Sequence, residues 1–127
     1  MSVQAVGRKF VEMCNQGKNF DVMEMMYAPD IVSVEASGVQ VAGKRPVIDK
    51  SRRWQADNTV NGEIVRGPFF DGAAGPAARS DGQFAVFYTF DVTPKTSGQR
   101  TTLEEVGIYT VNDDQITREQ FYYAGTR

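Results

Sequence analysis

The sequence has no histidine and a single cysteine, so carboxylates are the first groups to weigh for acid–base chemistry. Ser-His-Asp and Cys-His nucleophilic sites are excluded, as is every histidine-ligated metal. Among the carboxylates Glu105 is the first candidate. It lies in residues 101–111, a run dominated by Thr, Val, Ile and Tyr that suits a pleated, half-buried strand. Alternation places Leu103, Glu105, Gly107, Tyr109 and Val111 on one face. A Glu among such neighbours must be paired, hydrogen-bonded or neutral. Glu35 and Glu119 are the carboxylates that could open into the same hollow. Two carboxylates sharing an apolar pocket cannot both ionise easily, so one pKa rises. The raised one can act as an acid or oxyanion donor while its partner stays a base, which is the arrangement an enolisation needs. The competing readings are structural. Glu105 could pair with Arg66 or Arg118, or hydrogen-bond Tyr88 or Tyr109; Glu35 could be a solvated strand end, and Glu119 an outward salt bridge.

The elements that would position these groups follow from periodicity. Val3, Val6, Phe10, Met13 and Cys14 recur at helical spacing, and Gly17 is a natural stop. A second, short helix begins near Asn19, carries Phe20, Val22, Met23, Met26 and Tyr27, and ends before Pro29. Residues 30–36 read as a strand with Ile31, Ser33 and Glu35 on one face, and residues 39–42 as its short partner. A third helix opens at residues 43–46, with Pro46 in its first turn. Its inward stripe is Val47, Ile48, Ser51 and Trp54, leaving Lys50, Arg52, Arg53 and Asp57 as a solvated face. Strands follow at 63–71, with Gly67-Pro68 marking a bulge or an edge, and then at 83–93, 100–111 and 115–123. Residues 72–81, rich in Gly, Ala and Pro, read as a mobile loop, 112–114 as a tight turn, and 124–127 as a fraying end.

Helices first and long antiparallel strands after is an α+β plan. A long sheet twists, and bulges curl it. Closed on one side by three helices, it leaves a cone-shaped hollow lined by Trp54, Phe84, Val86, Tyr88, Phe90, Glu105 and Tyr109. No basic group is expected beside the acids there.

Composition bounds the rest. The 127 residues make one domain, 1–127, large enough for a core and one pocket. Net charge is −2 with scattered Lys and Arg, which argues against nucleic acid. No stretch is apolar enough to span a bilayer, no signal peptide is evident, and the lone Cys14 reads as a small buried hydrophobe. A reducing, cytoplasmic setting fits. No metal or cofactor is expected: there is no calcium-binding loop, and residues 72–75 lack the lysine and the following helix of a phosphate loop. Phe87, Val106, Ile108 and Tyr122 share the outer sheet face, an apolar patch expected to bury itself in a two-fold homodimer.

Several stretches carry a family resemblance: Asn15-Gln16-Gly17-Lys18-Asn19-Phe20, Tyr27-Ala28-Pro29-Asp30-Ile31-Val32-Ser33-Val34-Glu35, Gly43 before the third helix, Glu105-Val106-Gly107-Ile108-Tyr109-Thr110-Val111, and Asp114-Gln115-Ile116-Thr117-Arg118-Glu119-Gln120-Phe121-Tyr122. The chain resembles the NTF2-like superfamily, specifically the SnoaL-like branch with its polyketide cyclases and ketosteroid isomerases. The resemblance implies a cone fold and dimers through the outer face. Glu35 stands where the isomerases have their proton-abstracting carboxylate, and Glu105 matches their protonated oxyanion donor. Phe10 stands where they have a tyrosine donor. Glu119 and Phe121 stand where the cyclases have a catalytic pair, a His and an Asp.

The resulting expectation is a small enzyme acting on an apolar carbonyl compound. Glu35 would be the base, Glu105 the acid or oxyanion donor, and Trp54, Phe84, Tyr88, Phe90, Tyr109 and Glu119 would contact substrate. A non-catalytic module binding an apolar small molecule in the same pocket, or a dimeric interaction adaptor, are the rival expectations.

Overall fold

Apolar residues three and four apart build helix α1 (Val3–Asn15), whose N-cap Ser2 side chain accepts a hydrogen bond from the Ala5 amide at 3.1 Å. The computed structural model describes residues 1–71 and 79–124 of the chain. After α1 come α2 (Asn19–Met26), β1 (Tyr27–Val34), β2 (Gln40–Ala42), α3 (Lys44–Asp57), β3 (Asn58–Phe70), β4 (Gly82–Pro94), β5 (Thr101–Asn112) and β6 (Gln115–Tyr122). The strands form one mixed sheet in the order β2-β1-β6-β5-β4-β3. Every pair is antiparallel except β1 with β6, which is parallel. The sheet curls without closing, so β2 and β3 remain its edges.

Two strands start earlier than periodicity predicts. β1 begins at Tyr27, directly after α2, because Tyr27 pairs with Ile116 of β6 instead of continuing the helix. β3 begins at Asn58 rather than Glu63, since residues 58–62 pair with the C-terminal end of β4, residues 91–94, despite their polar composition. Pairing overrides propensity there. The Gly67-Pro68 prediction holds on both counts: β3 is an edge strand, and its register with β4 shifts between Arg66 and Phe69. Asp113 and Asp114 both have positive φ, 46° and 70°, as a two-residue hairpin turn requires. Residues 72–78 of the expected loop and 125–127 of the expected fraying end lie outside the described residues.

The core fills the narrow end of the curl. Phe10 packs against Tyr109 with ring centroids 4.6 Å apart and against Phe84 at 5.7 Å, while Phe84 stacks on Tyr109 at 5.1 Å. Helix α1 approaches β3 and β4 closely through Gly7, where a Cβ would lie 3.1 Å from Pro68 and 3.2 Å from Phe84. At its other end, Asn15 exchanges two 2.9 Å hydrogen bonds with the Val65 backbone, tying α1 to the edge strand β3. Helix α3 crosses from β1 to β3 and covers the open side. Val47 and Ile48 anchor it, both fully buried.

Candidate functional site

The wide end of the curl is hollow, a cavity of about 750 Å³ between the inner face of β4, β5 and β6 and the helices. That volume lies in the range of sites for drug-sized molecules. Of the residues predicted to form it, Glu35, Trp54, Tyr88, Phe90, Glu105, Tyr109 and Glu119 line it. Phe84 and Val86 do not. They face inward as alternation requires, but they sit at the narrow end, 1% exposed, where α1 covers them. Trp54 packs against Phe90 at 5.5 Å with the rings tilted by 55°, and Phe90 stacks on Tyr88 at 5.3 Å, giving the cavity an aromatic wall.

Tyr88 and Tyr109 meet at the floor with their hydroxyls 2.5 Å apart. Gly107 makes that meeting possible. It lies between Glu105 and Tyr109 on the inner face of β5, and a Cβ there would stand 2.9 Å from Tyr109 Cε2 and 3.1 Å from Tyr88 Cε2. Burial holds both phenols well above their usual pKa, so both remain protonated at neutral pH. Glu105 is paired in register with Tyr88 on the same face. Where the resemblance leads to a first-helix tyrosine, Phe10 packs its ring on Tyr109, and a phenol reaches this region from β5 instead.

The third carboxyl overturns the outward reading. Glu119 is 2% exposed and lies opposite Tyr109 on β6. Tyr27 donates its hydroxyl to Glu119 Oε1, and Ser33 donates to Oε2 at 2.6 Å. Desolvation raises the Glu119 carboxyl above the ordinary carboxylate value, although the two hydroxyls and the nearby Lys50 charge work the other way. A β-bulge explains the position: Val111 pairs with Ile116 and Thr110 with Arg118, leaving Thr117 extra, so Ile116 and Glu119 both turn inward.

Lys50 is the largest correction. It was expected on the solvated face of α3 with Arg52, Arg53 and Asp57. Those three are exposed, but Lys50 lies at the cavity wall. Its Nζ donates to Ser33 Oγ and to Glu35 Oε1, both at 2.6 Å, and sits 5.6 Å from the centre of the Phe121 ring. A basic group therefore does neutralise one of the acids. Glu35 is confirmed in position just past β1, but it is ion-paired, with 27% of its side chain exposed, and its Oε2 also receives the Tyr123 hydroxyl at 3.4 Å. Tyr27, Ser33, Lys50 and Tyr123 thus join Glu119 and Glu35 in one hydrogen-bonded chain running from β6 through β1 to α3. The signals for these were present. Ser33 alternates with Ile31, and Lys50 lies three residues after Val47 and four before Trp54, at the margin of the inward stripe.

Across the cavity, Glu63 on β3 lines the wall and accepts from Asn19 Nδ2 at 2.9 Å. Burial raises its carboxyl as well. Cys14 lies nearby in the cavity lining, with its thiol pushed far up by burial and by the Glu63 charge, so it is an inert hydrophobe as expected. Among the described residues, no three of His, Cys, Asp and Glu come together as a metal ligand set, and no helix is long and apolar enough to cross a membrane.

Comparison with known proteins agrees with this architecture. The SnoaL-like domain model matches residues 1–123. A protein of Mesorhizobium loti provisionally named a SnoaL-like polyketide cyclase is 39% identical, with 97% of this chain and 100% of that chain covered and a TM-score of 0.85. A Xanthomonas campestris protein provisionally named a polyketide cyclase is 19% identical over 96% of this chain and 90% of that one, with a TM-score of 0.65. An NTF2-like protein of unknown function from Cytophaga hutchinsonii shares 13% identity over 96% of this chain and 99% of that one, with a TM-score of 0.70. No curated protein matches the chain. With the fold, the hollow and the family match in agreement, this chain belongs to the SnoaL-like family and has the NTF2-like α+β fold.

Proposed function

We propose that the protein is a cofactor-independent isomerase or cyclase that moves a proton on an apolar carbonyl compound. One observation carries this reading: a single aromatic-walled cavity contains both a carboxylate held beside an ammonium, Glu35 with Lys50, and a pair of protonated phenols, Tyr88 and Tyr109, next to Glu105. A ligand carbonyl oxygen seated at the phenols gains charge as a proton leaves the neighbouring carbon. The C–H electron pair becomes the C=C bond of an enolate, and the C=O pair moves to oxygen. Whichever phenol of the Tyr88–Tyr109 pair accepts from the other keeps its own proton to donate, and it stabilises that charge. Glu35 takes the proton and returns it at a second carbon, and Glu105 donates to the oxyanion as its acid partner. The 39% identical relative is named both a SnoaL-like polyketide cyclase and a carbohydrate phosphatase, and the first of these names supports a carbonyl substrate.

The test is solvent deuterium exchange into a panel of aromatic ketones, with binding measured alongside. Wild type should exchange the proton next to the carbonyl. Glu35→Gln and Glu105→Gln should each slow exchange by about a hundredfold or more while binding is retained. A second reading has its own support, since Glu35 and Lys50 already satisfy one another. If wild type binds ketones and exchanges none of them, the protein is a binding module instead. We also propose that a second copy covers the outer sheet face, where Phe87, Val106 and Ile108 are partly buried and Tyr122 is 49% exposed. A monomer mass by light scattering at micromolar concentration would remove that pairing.

A further inference from the structure

Glu63 has no part in the chemistry proposed above, yet it opens into the same cavity. It lies opposite Phe90 in register, beside the Trp54–Phe90 aromatic pair, on the edge strand farthest from β1 and β2. Its described hydrogen bond is a single one, from Asn19 to Oε2. A carboxylate offers about four lone-pair sites, so acceptor capacity remains on the side that faces the cavity. Asn19 is the first residue of α2 and steadies the carboxyl from outside the sheet. A partly buried acid placed this way is costly unless something else pairs with it.

We infer that Glu63, steadied by Asn19, reads a hydroxyl or amine on a part of the ligand away from its carbonyl. This rests on the reading of Tyr88 and Tyr109 as the carbonyl seat. The two contacts come from different strands: Tyr88 and Tyr109 lie on β4 and β5, and Glu63 on the edge strand β3. Beside Glu63, Phe90 and Trp54 offer aromatic surface for the apolar part of the ligand, their rings tilted at 55° to one another. A ligand lacking the distal donor would leave a desolvated carboxyl unmatched, and sites built to hydrogen-bond a group reject analogues without it.

The experiment is equilibrium binding of three probes, read by fluorescence of Trp54, the only tryptophan in the chain. The probes are a naphthyl methyl ketone with a hydroxyl on the far ring, its methyl ether, and the unsubstituted ketone. Wild type should bind the hydroxylated probe about tenfold or more tighter than either of the others. Glu63→Leu should bring the three to near equality without weakening the unsubstituted ketone, and Glu63→Gln, which keeps an acceptor oxygen, should retain part of the preference. Equal binding of the probes by wild type overturns the inference, as does a preference that survives Glu63→Leu or failure of all three to bind. The comparison within wild type needs no variant to fold. Deuterium exchange on the same probes separates the two readings. Discrimination without exchange leaves Glu63 its role and removes the proton transfer; exchange without discrimination does the reverse.

Discussion

Two carboxyls line the cavity on different terms. Glu119 is fully buried on a central strand, and hydroxyls of Tyr27 and Ser33 occupy both of its oxygens. Glu63 is on an edge strand, and an amide of α2 holds one of its oxygens. Burial raises the pKa of both, so electrostatics alone does not tell them apart. What differs is commitment. Glu119 is the node through which β6, β1 and, by way of Ser33 and Lys50, α3 are tied together. It is part of the frame. Glu63 can change partner without disturbing any other element, and that is a property a ligand contact needs.

The largest effect should come from breaking the node. Glu119→Ala strands the Tyr27 and Ser33 hydroxyls in a dry site and leaves a cavity. A loss of about 2–5 kcal/mol is expected, measured as a lower urea midpoint with an unchanged slope. A loss no larger than that of an exposed substitution would mean that water already reaches the node, and the distinction between the two carboxyls would go with it.

Gly107→Ala tests the ground between them. The added methyl would stand 2.9 Å from the Tyr109 ring and 3.1 Å from its hydroxyl, both inside ordinary contact. The rings must part, at a cost of about 1–3 kcal/mol. Thermal unfolding should report the loss, and near-ultraviolet circular dichroism should report the change in tyrosine packing. Because the displaced rings are those of Tyr109 and Tyr88 and not of the Tyr27 and Ser33 partners of Glu119, the substitution should also weaken ketone binding more than it weakens the Glu119 node.

Much of the frame could be read from residue patterns. The alternation in β4 and β5 identified the inner face correctly, including Tyr88, Phe90, Glu105 and Tyr109, because both strands pair without a register break. Where pairing is irregular, alternation misleads. The extra residue Thr117 reverses the parity of β6 between Ile116 and Glu119, so alternation alone does not decide between the inward and the salt-bridged reading of Glu119. Alternation also says which face a residue is on but not how far along the curl it lies, so Phe84 read as a cavity wall when it belongs to the core under α1. Lys50 escaped for a third reason. Its Cα lies at the margin of the helix face, and only the length of its side chain brings the charge to Glu35 and Ser33. The Glu63 position was half legible: it shares a strand face with the buried Val65, but the Asn19 partner is 44 residues away in sequence.

The smallest effect is the one with the opposite sign. Glu63→Leu removes a desolvated carboxyl and gives up one hydrogen bond from Asn19, so at neutral pH stability should rise by up to about 1 kcal/mol where Glu119→Ala lowers it. The pH dependence follows from the direction of the shift. A carboxyl with a raised pKa in the folded state favours folding below its unfolded value, and that contribution is lost as pH rises through the folded value. Wild type should therefore lose stability above about pH 4.5, the ordinary glutamate value, with Glu63 and Glu119 both contributing. Asp91 and Glu24, held below their usual values chiefly by hydrogen bonds from Arg100 and Arg45, act on the acid side of that window and leave it unchanged. Chemical denaturation at a series of pH values should give Glu63→Leu a shallower decline than wild type, with the two curves meeting at the acid end. Parallel curves would mean that Glu63 is hydrated in the folded protein, and it would then have no unmet hydrogen bond to offer a ligand.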